Sequence, residues 1–301
     1  MKRVLTILSL AVLLSACKDF KEGYKDGYNQ AKEEAEANNE IETEADTKSK
    51  VKLYALDGGT VKVNMLELFS QDTTYTGQTK TFADAFYIIE HPKGRLLWDA
   101  GLGEGLVGQE PFTTPDGAFT VSRKDSVVSQ LAQLNLTPRD FDFIAVSHTH
   151  FDHTGSASKF ADAIWLVQET EYDFITSEEQ KKGDNYKAIA ALTKVEKLKG
   201  DFDVFGDGTV VIKSMPGHTP GHQVLFLKLE NAGNILLTGD LYHFQENRDS
   251  KGVPSFNYDV DMTLKSMEAF ENFAKENNAD VYIQHSTDDF NRLPKYPKYL
   301  D

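Results

Sequence analysis

The chain has 301 residues, a formal net charge of -15 and a single cysteine. One cysteine excludes a disulfide framework and a cysteine-rich zinc site. A hydrophobic content of 40% with 11% aromatic residues excludes a chain that is disordered throughout. The strong negative charge repels polyanions at long range, so we expect no nucleic-acid partner. The length suffices for one large domain or two small ones.

Residues 1–17 have the pattern of an export signal. Two cationic residues precede an uncharged apolar run over 4–16, which is too short to span a bilayer comfortably. The sequence Leu-Ser-Ala-Cys that ends at Cys17 resembles the lipobox of bacterial lipoproteins, in which the cysteine is lipidated. An ordinary secretory signal with a chance cysteine is the alternative. We therefore expect a lipoprotein signal peptide and an exported protein, anchored through lipidated Cys17 to a bacterial membrane at the periplasmic face or the cell surface.

Residues 18–50 differ in composition from the rest of the chain. They contain no Trp, Val, Leu or Met, and their six Lys against three Asp and seven Glu give a local charge of -4. Such a segment cannot bury enough apolar surface to fold alone, so we expect an acidic, flexible tether. Removing the leader (+2) and the tether (-4) leaves -13 on residues 51–301, which we expect to form the folded domain.

From residue 51 onward, short apolar runs rich in β-branched and aromatic residues alternate with turns. These runs predict strands at 51–55, 61–68, 85–89, 95–98, 143–147, 164–168, 210–214, 224–229, 235–237 and 281–284. Helical spacing predicts helices at 126–134, 169–176 and 262–274. In the last helix we expect Asp261 as N-cap and Leu264, Met267 and Phe270 facing inward. This order favours a layered α/β architecture with helices outside two central sheets.

A dense group of ligand-type residues follows the strand predicted at 143–147. The chain continues His148-Thr-His150-Phe-Asp152-His153, a pattern that chance rarely produces with eight histidines in 301 residues. His148 and His150 project to one side if the strand continues, and the bend after them can turn Asp152 and His153 toward a neighbouring point. Two sets of nitrogen and oxygen ligands suit two divalent cations.

Three further ligand-type residues follow apolar runs. His218 comes after the strand at 210–214, Asp240 ends Leu-Leu-Thr-Gly-Asp, and His285 ends Val-Tyr-Ile-Gln-His. A lone histidine is more often structural than a ligand, but five of the eight histidines occupy such positions. Ligands of these types accept Zn, Mn, Fe or Co.

These motifs make the chain similar to the metallo-β-lactamase superfamily over residues 51–301. The resemblance implies an α/β fold, a four-layer αββα sandwich with two divalent metal ions at one edge, and we expect zinc. It also implies the role of each ligand: one ion is bound by His148, His150 and His218, the other by Asp152, His153 and His285, and Asp240 bridges them. In the same pattern Asp99 orients ligands, and His222 is a supporting or structural residue.

Within the superfamily, the chain looks most like the N-acyl-homoserine-lactone lactonases. The segments 59–81 and 85–101 and the ending Tyr-Ile-Gln-His carry this likeness. The absence of cysteine from residues 51–301 excludes zinc β-lactamases that use a cysteine ligand. The resemblance implies a dinuclear-metal hydrolase that opens a small-molecule lactone or carboxylic ester and takes part in quorum quenching. It also makes a homodimer possible.

One departure concerns the third residue after the bridging aspartate. Many lactonases have a tyrosine there, but this chain has His243, with Tyr242 one place earlier. A histidine at this position looks more like the arylesterases and organophosphate hydrolases of the same fold. Arylesterase or phosphotriesterase activity is therefore one alternative, and a non-catalytic metal-binding lipoprotein is another.

The expected chemistry assigns roles to a few side chains. We expect Asp152 to pass a proton to the leaving alkoxide. His243 either donates a hydrogen bond to the carbonyl or phosphoryl oxygen or is a wall residue without a chemical role. An apolar wall would hold an acyl chain. The candidates for this wall are Phe69, Phe86, Phe112, Phe119 and Phe151.

Overall fold

Two β-sheets organise residues 51–301, the part of the chain that the computed structural model describes. The predicted signal peptide with Cys17 and the predicted tether over 18–50 lie outside the described residues. Among the described residues, no helix is both long and apolar enough to cross a membrane.

The first sheet has eight strands in the described range, in the spatial order β4-β5-β1-β2-β3-β6-β7-β8. Its strands are β1 (Lys52–Val63), β2 (Lys80–His91), β3 (Gly94–Trp98), β4 (Phe112–Thr113), β5 (Phe119–Ser122), β6 (Phe143–Ala145), β7 (Ile164–Gln168) and β8 (Val195–Leu198). β1 and β2 pair antiparallel over almost their full length, whereas β3, β6, β7 and β8 pair parallel. Both faces of β2 are buried because other layers cover both sides of the sheet.

The second sheet has five strands among residues 51–301, in the order β13-β12-β11-β10-β9. Its strands are β9 (Phe202–Asp203), β10 (Val210–Ser214), β11 (Gln223–Leu229), β12 (Gly233–Leu237) and β13 (Asp280–Tyr282). The neighbours from β9 to β12 pair antiparallel, and β12 and β13 pair parallel.

Helices cover the outer faces of the sheets. They are α1 (Val127–Leu131), α2 (Phe151–Thr154), α3 (Glu169–Ile175), α4 (Asp184–Ile189), α5 (Gln245–Ser250), α6 (Val260–Glu276) and α7 (Thr287–Arg292). Tyr87 and Trp98 of the first sheet and Leu225 and Leu237 of the second belong to one buried cluster, which fills the space between the sheets. A second cluster lies between the first sheet and α1 and α4, and a third lies between the second sheet and α6. The layers are therefore helix, sheet, sheet and helix, which confirms the αββα sandwich expected from the sequence.

The parallel strand pairs bring the ends of several strands to one edge of the sandwich. Trp98 at the end of β3 is level with Ala145 of β6, and Leu237 at the end of β12 is level with Tyr282 of β13. Residues that follow these strands therefore emerge at the same edge. Gln223 joins the two sheets there, since its backbone N–H donates to the Ser147 carbonyl at 2.9 Å.

Several predicted boundaries were wrong. The predicted strand at 61–68 does not exist as such, because β1 runs on to Val63 and a short 3-10 helix, Leu66–Phe69, follows. The N-cap of α6 is Asp259, whose side chain accepts from the Met262 backbone N–H at 2.8 Å, and not Asp261. Leu264 is 37% exposed although periodicity placed it inward, whereas Met267 and Phe270 are fully buried.

Gly155 allows the segment that carries Asp152 and His153 to pack closely on the loop after β3. A Cβ at position 155 would lie 2.1 Å from the Leu102 carbonyl carbon and 2.3 Å from the Gly103 nitrogen. These are backbone atoms, which cannot move aside as a side chain can. The Gly155 backbone N–H also donates to the Gly101 carbonyl at 2.8 Å.

We expect Gly155→Ala to lower the free energy of unfolding by about 3 kcal/mol, the upper end of the usual cost of overpacking, because backbone would have to shift. Urea unfolding of both proteins measures the difference. Gly105→Ala is the matched control, because a Cβ there meets nothing within 4 Å. Equal stability of the Gly155→Ala variant and the parent would contradict the close approach.

Candidate metal centre

The structure brings together all seven residues that sequence analysis proposed as metal ligands. One group consists of His148, His150, His218 and Asp240, and a second of Asp152, His153 and His285. Within each group, the potential ligand atoms lie within 4.8 Å of one another. Four of the residues follow the strands β6, β10, β12 and β13, and the other three lie in α2 or directly before it.

Asp240 lies between the histidines of the first group and those of the second, and it presents one carboxylate oxygen to each set. Its Oδ2 is 3.6 Å from His148 Nε2 and 3.5 Å from His218 Nε2. Its Oδ1 is 3.1 Å from His153 Nε2 and 3.0 Å from His285 Nε2. One carboxylate thus has the geometry of a bridge between two adjacent binding positions.

The first group is completed by His150, which turns its Nδ1 inward. This atom lies 2.8 Å from His148 Nε2 and 3.2 Å from His218 Nε2. Three ring nitrogens with lone pairs in one small volume repel one another unless a proton or a cation lies between them. The arrangement fits a metal position, because tetrahedral centres bring nitrogen ligands together in this way.

Two potential ligand atoms are buried and have no hydrogen-bond partner among residues 51–301. They are His153 Nε2 and Asp240 Oδ1, which lie 3.1 Å apart but do not have the geometry of a hydrogen bond. Buried polar atoms in proteins are nearly always satisfied, so orphaned atoms of ligand type indicate a missing partner. A divalent cation would be such a partner, and the residues present therefore fit a metal centre.

The ring nitrogens that point away from the centre have partners that fix each ring. His148 Nδ1 is 3.1 Å from Ser147 Oγ, His285 Nδ1 is 2.9 Å from the Ala83 carbonyl oxygen, and His218 Nδ1 is 3.3 Å from Asn257 Oδ1. Such contacts select the tautomer and orientation in which the other nitrogen can bind a metal.

Asp99 supports the site from the end of β3. Its Oδ2 is 3.3 Å from His153 Nδ1, and its Oδ1 accepts the Ser147 backbone N–H at 2.6 Å. The residue has φ of +60°, a conformation that aspartate tolerates better than most residues. The sequence-based expectation was that Asp99 orients ligands, and it lies where that role requires.

Burial and charge affect the histidines of the two groups in opposite ways. Burial lowers the pKa of His148 and of His218 well below the ordinary value, which favours the neutral form that binds metals. Burial is also the largest single influence on His153 and His285, but the nearby carboxylates, Asp240 first among them, together outweigh it. They raise the pKa of His153 well above its ordinary value and that of His285 to about 9. The carboxylates therefore attract positive charge to the second group, and a divalent cation can replace the protons there.

Glu171 is a structural residue of the site that sequence reasoning missed. Its Oε1 accepts the Thr149 backbone N–H at 2.9 Å and the Thr149 hydroxyl at 2.7 Å, and its Oε2 accepts the Gly221 backbone N–H at 3.0 Å. It thereby joins the loop that carries His148 to the loop that carries His218. A signal was present, since Glu171 and Ile175 are the two buried residues of α3 and are four positions apart.

Tyr242 and His243, the two residues near the position where many lactonases have a tyrosine, point in different directions. Tyr242 is buried against Phe270 in the core under α6, with ring centroids 5.8 Å apart. His243 faces the centre, and its Nε2 lies 3.1 Å from Asp240 Oδ2. His222 stands behind the site, where its Nε2 accepts the Asp240 backbone N–H at 3.0 Å, so it supports the bridging residue.

An apolar cavity of about 330 Å³ opens onto the centre. Phe69, Phe119 and Phe151, which sequence analysis proposed for an apolar wall, line it. The other two candidates do not, because Phe86 is buried in the core under the helices and Phe112 is half exposed elsewhere. The remaining lining residues are Val61, Leu68, Phe82, Asp116, His150, Asp152, Asp240, His243, Phe256 and His285.

The αββα fold and this set of nitrogen and oxygen ligands define a metal-dependent hydrolase. The family model of the metallo-beta-lactamase superfamily matches residues 82–285. The chain belongs to this superfamily.

Its similar relatives include several lactonases. The N-acyl homoserine lactonase AttM of Rhizobium radiobacter is 28% identical over 265 residues, which cover 83% of this chain and 98% of the relative. The N-acyl homoserine lactonase AiiA of Bacillus thuringiensis subsp. kurstaki is 28% identical over 261 residues, with the same coverage. A solved N-acyl homoserine lactone hydrolase, with the product N-hexanoyl-L-homoserine at its catalytic metal centre, superposes with a TM-score of 0.73 at 26% identity. The match covers 84% of this chain and 100% of that one.

We expect His150→Ala to lower the bound metal by at least half while the protein stays folded, because the substitution removes one nitrogen from the first group. Elemental analysis of purified protein measures the metal, and circular dichroism checks the fold. His91→Gln is the matched control: it alters a buried histidine that pairs with Asp207 at 2.8 Å and belongs to neither group. Full metal content in the His150→Ala variant would contradict the assignment.

Proposed function

We propose that this protein is a dinuclear-metal lactonase that opens the ring of N-acyl-homoserine lactones and thereby quenches quorum sensing. The observation that carries the proposal is the apolar cavity that ends at the two ligand groups. A lactone carbonyl at the groups would leave an acyl chain in contact with Phe69, Phe119 and Phe151. The lactonase relatives match nearly their whole length, which supports the same substrate class.

We propose that the centre holds two divalent cations, with zinc as the metal. His148, His150 and His218 would hold one, Asp152, His153 and His285 the other, and Asp240 would contact both. Divalent cations in such a centre lower the pKa of water and stabilise negative charge that develops on a carbonyl oxygen. The protein itself supplies fixed ligand positions and a largely apolar cavity.

Two side chains at the end of the cavity would act on the substrate. Asp152 has a carboxylate on the cavity side of the second group and would carry a proton to the leaving alkoxide. His243 would donate a hydrogen bond from Nε2 to the carbonyl oxygen, an interaction that gains strength as negative charge develops there. Its burial beside Phe69, with ring centroids 4.7 Å apart, keeps competing water from the imidazole.

His243 also favours a second candidate function, hydrolysis of aryl esters or phosphotriesters. A histidine presents a compact donor where a tyrosine would reach further into the cavity, so it leaves room for a bulkier group at the reacting centre. A metal-storage role is less favoured, because a store encloses its ion whereas these groups line an open cavity.

A comparison of kcat/KM for a lactone and for an aryl ester distinguishes the two proposed activities. We expect kcat/KM for a medium-chain N-acyl-homoserine lactone to exceed that for phenyl acetate by at least about tenfold, since apolar chain contacts discriminate on this scale. A higher rate on the aryl ester would favour the second function.

We also expect His243→Ala to lower kcat/KM for the lactone by about 10²-fold with metal content unchanged. An unaffected His243→Ala variant would exclude a catalytic role for this residue.

We further propose that the mature chain is exported and anchored to a bacterial membrane by a lipid on Cys17. Support comes from the apolar run over 4–16, the Leu-Ser-Ala-Cys sequence and the acidic segment 18–50. A lipid chain on a tether would keep the enzyme at the surface that diffusing signal molecules cross.

We expect the full chain, expressed in a bacterium fed labelled palmitate, to incorporate the label, and the Cys17→Ser variant to incorporate none. Gel autoradiography of the immunoprecipitated protein measures this, and a Ser15→Ala variant serves as a control that keeps the cysteine. An unlabelled parent chain would contradict lipidation, and a labelled Cys17→Ser variant would place the lipid elsewhere.

A further inference from the structure

Asp84 of β2 is a buried carboxyl group on an inner strand of the first sheet. Its residue is 1% exposed, and neither carboxylate oxygen has a hydrogen-bond partner among the described residues. A buried carboxylate without partners is costly, so such a group is rarely retained without a compensating interaction.

The alternation of β2 locates Asp84 between the metal centre and a buried arginine. Residues two apart on a strand share a face, so Phe82 and Phe86 flank Asp84 on the same side of the sheet. The Phe82 ring stacks on His285, with centroids 5.7 Å apart. On the other flank, the Arg123 guanidinium lies 5.7 Å from the Phe86 ring centroid.

Backbone contacts fix this part of β2 to the end of β13. The Ala83 backbone N–H donates to the His285 carbonyl at 3.2 Å, and His285 Nδ1 lies 2.9 Å from the Ala83 carbonyl oxygen. Gln284 Nε2 donates to the Ala85 carbonyl at 2.8 Å. The residues on both sides of Asp84 are therefore tied to the segment that carries a proposed ligand, and Asp84 cannot move independently of it.

Arg123 acts on Asp84 only through its charge, because neither Asp84 oxygen accepts a hydrogen bond from it, and its Nη2 makes no hydrogen bond among the described residues. Its Nη1 donates to the Leu102 carbonyl and, at 2.7 Å, to Ser156 Oγ, while its Nε donates to the Asp125 carbonyl at 3.1 Å. Its ion-pair partner is Glu104, at 3.5 Å.

The electrostatic surroundings of Asp84 make a cation the missing partner. Burial, and then the Asp152 carboxylate, raise the pKa of Asp84 to about 8, although His285, His153 and Arg123 act in the opposite direction. Two acids in one buried region repel each other unless positive charge lies beside them. A divalent cation in the second group would supply that charge on the Asp152 side.

We propose that Asp84 is a positioning residue of the metal centre, a buried carboxylate that strengthens cation binding by Asp152, His153 and His285 without contacting the substrate. A cation in the second group would favour the ionised form of Asp84, and the charge of that form would in turn strengthen cation binding. The inference rests on the metal centre proposed above.

The test compares zinc affinity and stability in the full chain and in Asp84→Asn, which keeps the shape and removes the charge. Chelator competition gives the zinc dissociation constant of each step, and thermal unfolding of metal-free protein gives stability. We expect the weaker-bound zinc ion to lose about 10- to 100-fold in affinity, as is usual when a supporting partner of a metal ligand is removed. We expect metal-free Asp84→Asn to unfold at the same or a higher temperature, because it no longer buries an unpartnered carboxylate.

Asp57→Asn is the matched control. Asp57 pairs with Ala85 across the same two strands, and the charged groups that influence it are Asp125, Arg123 and Lys124, none of them in the centre. We expect its zinc affinity to equal that of the parent. An equal loss in both variants would show a general charge effect and overturn the proposal.

The remaining outcomes separate the two proposals. If the parent chain binds two zinc ions and Asp84→Asn binds them equally well, the role of Asp84 is wrong and the metal centre stands. If metal-free Asp84→Asn is destabilised while zinc affinity is unchanged, Asp84 is only a structural residue. If the parent binds no zinc, the metal centre itself fails.

Discussion

The shared carboxylate of Asp240 is the interaction on which the rest of the site depends. Its two oxygens face opposite groups of histidines, so its position fixes where both groups must converge. The protein holds this residue from behind through His222 and by the short turn after β12. A charge buried this deeply is stable only among groups that complement it, and the imidazoles around it provide this complement.

Two sheets must contribute for such convergence to occur. The first sheet supplies the segment from His148 to His153, and the second supplies Asp240 and His285. Parallel pairing brings the relevant strand ends level within each sheet, and Gln223 and Glu171 hold the two edges together. The central apolar core therefore stabilises the domain and also sets the distance between the halves of the site.

Local sequence patterns correctly predicted several strands and the start of one helix, because these features depend on residues that are close together in the chain. The strand at 210–214 appears as β10 (Val210–Ser214), and the helix at 126–134 begins after Ser126, whose side chain caps α1. Ligand-type residues at strand ends could be predicted because a histidine or aspartate that directly follows a buried apolar run emerges at the sheet edge, where binding sites form. Leu264 escaped prediction because only tertiary packing decides which half of an apolar stripe is covered. The role proposed for Asp84 could not be predicted, because it depends on neighbours that are distant in sequence.

Phe151 stands between His150 and Asp152 in the chain and lines the apolar cavity beside them. The short helix α2 and the residue directly before it therefore carry a wall of the cavity and side chains of both ligand groups. A substitution of Phe151 that changes the acyl-chain preference would therefore also disturb the neighbouring proposed metal ligands. Another side of the cavity is formed by Phe69 and Phe256, whose ring centroids are 5.4 Å apart and which belong to segments without ligands. Divergence of substrate range among proteins of this architecture should therefore accumulate on that side, while the helix evolves slowly.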